Sequence, residues 1–239
     1  MSLYYDFHIH SALSPCGDND MTPNNIINMA MIKGLDSIAV TDHNCTLNLR
    51  ACSQCAAEAG VIFVPGIEIE TSEEVHIVGL FDNLEAAEEC GNYVCSNMPK
   101  FKNRIDIFGN QYVMNSADEV VYEVENLLST ACFLDVYGAV GKIRELGGVA
   151  IPAHVDKSSY SIISNLGFIP GDLDFTTVEV KMPEKLKTLE DMHSLSKYKI
   201  IHNSDAHFLW DIHEKVHFLP DNFKSSAEII HYLKQNISD

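Results

Sequence analysis

Two rhythms of apolar and polar residues alternate along this chain. Short apolar runs bounded by Gly, Pro, Asn or Asp read as strands, and longer stretches of 3.6-residue period read as helices. Residues 4–10, Tyr-Tyr-Asp-Phe-His-Ile-His, form the first strand-like run. Thr22-Pro23 then opens a helix, with Thr as cap and Pro at the first helical position, and Gly34 ends it. The pattern predicts a strand at 37–42, a helix at 46–59 stopped by Gly60, and a strand at 61–70. Residues 75–81 follow after a link too short for a crossover helix, so this strand is expected to run antiparallel or offset. An acidic helix is expected at 84–98.

After Pro99 the rhythm changes. Residues 101–114 suggest a hairpin turning at Gly109-Asn110. Residues 116–134 suggest a helix opened by the capping box Ser116-Ala117-Asp118-Glu119. Alternation then resumes: a helix at 136–146, strands at 149–153, 175–181 and 199–204, a short strand at 216–219 and a closing helix at 227–235. This order implies an α/β fold with a mostly parallel sheet. The expectation is a single domain over 1–239, with about 99–135 as an inserted hairpin-and-helix subdomain, a lid over the site.

Composition narrows the setting. No apolar run approaches the roughly 20 residues that span a bilayer. No charged-then-apolar leader precedes the first strand, and the seven cysteines have no disulfide-framework spacing. Reduced thiols and a cytoplasmic location are expected. Cys52 and Cys55 form a C-x-x-C without the second pair of a structural zinc site, so they read as helix thiols. The formal net charge of −18 repels nucleic acid, which argues against duplex binding but allows a small anion held by cations.

The chemistry lies where apolar runs end. Side chains two apart on a strand share a side, so His8 and His10 can converge on one metal. Asp205 and His207 repeat that spacing. His43, His76 and His154 stand at or near the ends of other runs. Glu68 is a carboxylate inside an apolar strand, costly unless paired or metal-bound, and Glu70 alternates in step with it. Ligands from many strand ends are better explained by a barrel than by an open sheet. His193, His202, His213, His217 and His231 sit elsewhere in the pattern and read as ordinary structural or solvated histidines.

Taken together, His8-Ile9-His10, Thr41-Asp42-His43-Asn44, Gly66-Ile67-Glu68, His76-Ile77-Val78-Gly79, Pro152-Ala153-His154 and Ser204-Asp205-Ala206-His207 resemble the polymerase-and-histidinol-phosphatase (PHP) family. The resemblance implies a distorted (β/α)7 barrel with a site for two or three divalent ions (Zn, Mn or Fe). It implies hydrolysis of phosphate esters by a metal-activated hydroxide. Carried over residue by residue, the metal ligands are His8, His10, His43, Glu68, His76, His154, Asp205 and His207. A ninth, usually supplied by a Ser-Asp-Gly pattern after the first motif, falls on Asp18, with Asp20 as the alternate. Glu68 or Asp205 would bridge metals. Asp42 would orient an imidazole from outside the ligand set, and Lys157 and Lys181 are candidates for the substrate phosphate. A small phosphorylated metabolite or nucleotide is the expected substrate; a nuclease acting on nucleic-acid ends is the alternative. Oligomeric state is left open by the sequence.

Overall fold

A computed structural model describes residues 2–221 and 223–237. In chain order the elements are β1 (Leu3–Ile9), α1 (Pro23–Lys33), β2 (Ser37–Val40), α2 (Leu49–Ala59), β3 (Ile62–Glu70), β4 (His76–Leu80) and α3 (Leu84–Ser96). Then come α4 (Ile105–Phe108), β5 (Tyr112–Met114), β6 (Val120–Glu123), α5 (Val136–Glu145), β7 (Val149–Pro152) and α6 (Ile162–Leu166). The chain continues with β8 (Thr177–Glu179), α7 (Leu186–His193), β9 (Lys199–Ile201), β10 (Phe218–Leu219) and α8 (Ser226–Lys234).

Six strands form a curled sheet in the order β10-β1-β2-β3-β4-β7. The β1, β2 and β3 strands are parallel, whereas β4 runs antiparallel to both β3 and β7, as its short connection predicts. A separate parallel pair, β8–β9, links the two flanks. The N–H of Val155, just past β7, donates to the carbonyl of Glu179 at 2.9 Å. A parallel bridge joins Ile9 to Ala206 beyond β9. The result is a mixed α/β fold with a half-barrel sheet.

Local sequence sets the helix ends. Thr22 accepts the N–H of Asn25 at the start of α1, and Gly34 closes it in the left-handed region at φ 73°. Alternation on each strand sorts side chains into two cores. Val64 on β3, Val78 and Leu80 on β4 and Ile151 on β7 face an inner core that α8 closes with Ile229, Ile230 and Leu233. Ile67, Ile69, Ile77 and Ala150 face the outer helices. The inner row of β3 therefore reads Val64, Gly66, Glu68, Glu70, and that of β4 reads His76, Val78, Leu80. An apolar floor at one end of the curl supports a polar layer at the other.

β1 departs from strict alternation. Its pairing with β2 shifts register between Asp6 and Ile9. Tyr5 and Phe7 lie in the inner core but Ile9 lies in the outer one. This irregularity reverses the faces and brings His8 and His10 inward.

The 99–135 segment differs from the sequence expectation. No helix spans 116–134, and Gly109 does not turn a hairpin. It ends the short α4 instead. The hairpin is β5–β6, turning through 115–119. The side chain of Asn115 accepts the N–H groups of Ala117 and Glu119, and Asp118 adopts φ 61°. Asp118 is also committed to α1, accepting Thr22 Oγ1 at 2.7 Å and the N–H of Asn24 at 3.0 Å. The run Val120-Val121-Tyr122 has strand-favouring side chains, so a local turn and pairing outcompete the capping box. No described helix is long and apolar enough to cross a membrane.

Candidate metal centre

Glu68 is the hub. It is fully buried, and five imidazoles approach its two oxygens. His76 Nδ1 is 2.8 Å, His8 Nε2 3.2 Å and His154 Nε2 3.3 Å from Oε1. His43 Nδ1 is 3.0 Å and His10 Nε2 3.4 Å from Oε2. Asp205 joins them, its Oδ1 3.4 Å from His10 Nε2 and 3.6 Å from His8 Nε2. His207 stacks on His10 with ring centroids 4.3 Å apart. Eight of the sequence-derived ligands thus converge at the polar end of the sheet. Glu70 lies on the same inner row, but its Oε2 is 3.9 Å from His76 Nε2, at the edge of the group.

Asp18 does not join them. Its Oδ1 accepts the N–H of Asp20, and its own N–H donates to the carbonyl of His207. Among the described residues, the donor groups able to surround an ion are His8–His10–Glu68, His43–Glu68–His76 and His10–His43–His207, and Asp18 and Asp20 are in none. A short Asx turn at Asp18 competes for its carboxylate.

The imidazoles are oriented from behind. Ser14 Oγ donates to Asp42 Oδ1 at 2.7 Å, so it is left to accept from His10 Nδ1 at 3.0 Å. That places the His10 Nε2 lone pair toward the centre. Ser14 Oγ also accepts the N–H of His43, and Asp42 accepts both the N–H and the hydroxyl of Ser11. Asp42 therefore acts on the histidines through the Ser11–Ser14 loop rather than by touching a ring.

Glu179 is the residue that sequence reasoning missed. Fully buried on β8, it holds His8 Nδ1 at 3.0 Å from both its oxygens. It also accepts the N–H of His154 at 2.9 Å and Nδ2 of Asn203 at 2.7 Å. The signal was available: a carboxylate in the apolar run Val178-Glu179-Val180, the same anomaly that singled out Glu68.

Electrostatics follow from this crowding. Burial would raise Glu68, but His76, His8 and His43 hold its carboxyl well below the usual range. Burial opposes a charge on His8, yet Glu179, Glu68 and Asp205 outweigh it and raise His8 well above its ordinary value. His10 goes the other way, driven well down by burial and by His207 and His43. His154 is lowered chiefly by burial.

Two of the expected ligand positions also carry backbone strain, His154 at φ 29° and Asp205 at φ 52°. Left-handed non-glycine residues cost on the order of 1–2 kcal/mol and persist only where surroundings enforce them.

Divalent cations fit this arrangement. His154 Nδ1 is buried without a hydrogen-bond partner, and Glu68 Oε2 and His43 Nδ1, though 3.0 Å apart, make no aligned hydrogen bond. Such atoms are rare without a ligand to satisfy them. A mixed imidazole and carboxylate set suits zinc, manganese or iron. At the rim, Lys157 Nζ and Lys181 Nζ lie 2.5 and 3.1 Å from Asp205 Oδ2, both partly exposed. His217 packs against both His202 and His213 with tilted rings, centroids 4.9 Å apart in each pair, and none of the three is in a donor group. Cys52 and Cys55 are free thiols buried on α2.

Comparison with known proteins agrees with this geometry. A 3',5'-nucleoside bisphosphate phosphatase of Chromobacterium violaceum is 38% identical over 90 residues, which are 36% of this chain and 30% of the relative. The chain thus covers under a third of that protein's length. Its fold resembles an amidohydrolase of the same organism solved with bound sulfate (TM-score 0.66, 18% identity, 96% of each chain). It also resembles the lesion-specific endonuclease Q of Pyrococcus furiosus (TM-score 0.60, 19% identity, 87% of this chain and 49% of the other). The fold likeness to a nuclease removes support for excluding nucleic acid on net charge alone. Bound cations reverse the local sign of an acidic site, so the whole-chain balance does not decide the substrate. Residues 6–166 match the PHP domain, and the chain belongs to that family.

Proposed function

We propose that this chain hydrolyses phosphate esters with two or three divalent ions (Zn, Mn or Fe) on a distorted (β/α)7 barrel. The observation that carries the reading is Glu68 ringed by His8, His10, His43, His76 and His154, with Asp205 and His207 closing the group. Those eight residues would hold the ions, with Glu68 or Asp205 shared between them. When bound, the ions supply a water of lowered pKa and positive charge for the phosphoryl oxygens.

The chain's own residues do the rest. Glu179 holds His8, and Ser14 holds His10, in the tautomers that turn Nε2 inward. Lys157 and Lys181 share Asp205 Oδ2 at the rim. A metal-bound Asp205 would release both ammonium groups toward a phosphate. The substrate of this reading is a small phosphorylated metabolite or nucleotide, with the 99–135 segment as a cover beside the mouth. Its packing supports the last point: Tyr112 N–H donates to the carbonyl of Ala12, and Asn44 Nδ2 reaches the carbonyls of Leu128 and Thr130.

Phosphate release from a panel of monoesters, nucleotides and bisphosphates tests the proposal. Activity should require added divalent metal and disappear in His8→Ala. Unchanged turnover in that variant would refute it. The likeness to a nuclease adds single-stranded oligonucleotides to the panel.

A further inference from the structure

The loop between β7 and α6 ends in an aromatic residue that the fold by itself does not require. The start of the loop is fixed. Asp156 accepts the N–H groups of Lys181 and Met182 at 2.8 and 2.9 Å, and Lys157 N–H donates to the carbonyl of His154 at 2.9 Å. The end is fixed as well. Ser161 Oγ donates to the carbonyl of Lys157 at 2.8 Å and caps α6 by accepting the N–H of Ser164. Between these anchors Lys157 sends its ammonium to Asp205 Oδ2, and Ser158 and Ser159 are exposed.

Tyr160 closes the turn at φ 56°. That region is unfavourable for a bulky side chain, whereas glycine enters it freely. Two contacts hold Tyr160 there. Its carbonyl accepts the N–H of His76 at 3.0 Å, and its ring stacks on the His76 imidazole, with centroids 5.0 Å and planes 30° apart. His76 Nδ1 in turn lies 2.8 Å from Glu68 Oε1. The residue nonetheless remains 45% exposed. A packing residue would be buried, and a turn residue would be small. Strain that holds a flat apolar ring in water, one imidazole away from the hub, points to function rather than stability. Lys157 and Tyr160 thus leave one loop and meet the centre at different groups, Asp205 and His76.

We propose that Tyr160 is a specificity-determining residue whose exposed face takes the aromatic ring of a leaving group, with nucleoside phosphates as the preferred esters. This rests on the phosphoesterase reading above and deepens it by naming the substrate class. The phosphate lies at the hub beside Lys157, and the base settles against the phenol ring on the side away from His76. Stacking needs only a π-face, so the preference is for any base over an aliphatic leaving group. The contact is the same in the ground state and the transition state, so it lowers KM and leaves kcat to the centre.

Hydrolysis of adenosine monophosphate and of glycerol phosphate by the metal-loaded full chain tests this. Tyr160→Ala should lower the ratio of kcat/KM for the nucleotide to that for glycerol phosphate about tenfold, through the KM of the nucleotide, as loss of one stacked base requires. Tyr160→Phe keeps the ring and should keep the ratio. Metal content by elemental analysis, and the inhibition constant of inorganic phosphate, which has no ring, should match the parent in both variants. Equal losses on the two esters, or a fall in kcat with loss of metal, would assign Tyr160 to holding His76 and overturn its part in specificity. An unchanged ratio in a folded Tyr160→Ala protein would do the same. A parent protein that hydrolyses neither ester would overturn the phosphoesterase reading together with it.

Discussion

Replacing Glu179 by Gln probes the centre without touching a proposed ligand. Glu179 meets three donors: His8 Nδ1, the N–H of His154 and Nδ2 of Asn203. A glutamine offers one carbonyl oxygen and turns an NH2 toward at least one of those donors. Loss of the charge on the His8 contact removes about 1.5–3 kcal/mol, and one buried unsatisfied donor costs about 1–3 kcal/mol more. The metal-free protein should therefore lose roughly 3–5 kcal/mol in urea unfolding, the range for breaking a buried pair. Metal affinity should fall about 10–100-fold, the usual effect of losing an outer partner of a ligating histidine. That corresponds to about 1.4–2.7 kcal/mol. Competition with a chromophoric chelator reads the affinity, and circular dichroism checks the fold. Zinc affinity within twofold of the parent in a folded Glu179→Gln protein would refute the positioning argument.

Lys157→Ala and Lys181→Ala should each raise KM for a phosphate ester roughly tenfold, about 1.4 kcal/mol, with metal content unchanged. Equal KM values would show that these side chains are merely solvated partners of Asp205. His217 is held down to about 4, first by burial and then by His213 and His202. The unfolded chain takes up that proton near pH 6.5, so the native state is stable above this value and loses the contribution as pH falls toward 4. Because His217 is partly exposed, the loss is discounted to about 1 kcal/mol for solvent screening. His217→Phe should narrow the difference in urea midpoint between pH 7 and pH 5, and an unchanged difference would count against this account. Phe81 is fully buried in the outer core, so Phe81→Ala should cost about 3–5 kcal/mol in the same assay.

Much of the candidate site was legible in the residues because strand chemistry is local. A period of two forces His8 and His10 to one side, and likewise Glu68 and Glu70. Burial makes a carboxylate in an apolar run an anomaly whatever surrounds it. Glu179 carried that same mark and was passed over, since its strand ended without a histidine to draw notice. The 99–135 segment was misread for a different reason. Its capping-box residues were read locally, but Asp118 is claimed by Thr22 and Asn24, more than ninety positions earlier.

The sequence by itself determined which side chains could bind metal, the alternation of strands and helices, and the reversal of β4, whose short connection excludes a crossover. Three decisions belonged to the tertiary structure. A register shift in β1 turned His8 and His10 to the inner face, a choice that depends on pairing with β2. The Asx turn at Asp18 holds that carboxylate on the N–H of Asp20 and outside the group. Glu68, rather than Glu70, became the hub because it lies one pleat deeper, where imidazoles from β1, β4 and the loops after β2 and β7 can all reach it. Each outcome is a long-range competition for a side chain or a backbone group, and such competitions are resolved only when the partners are brought together in space.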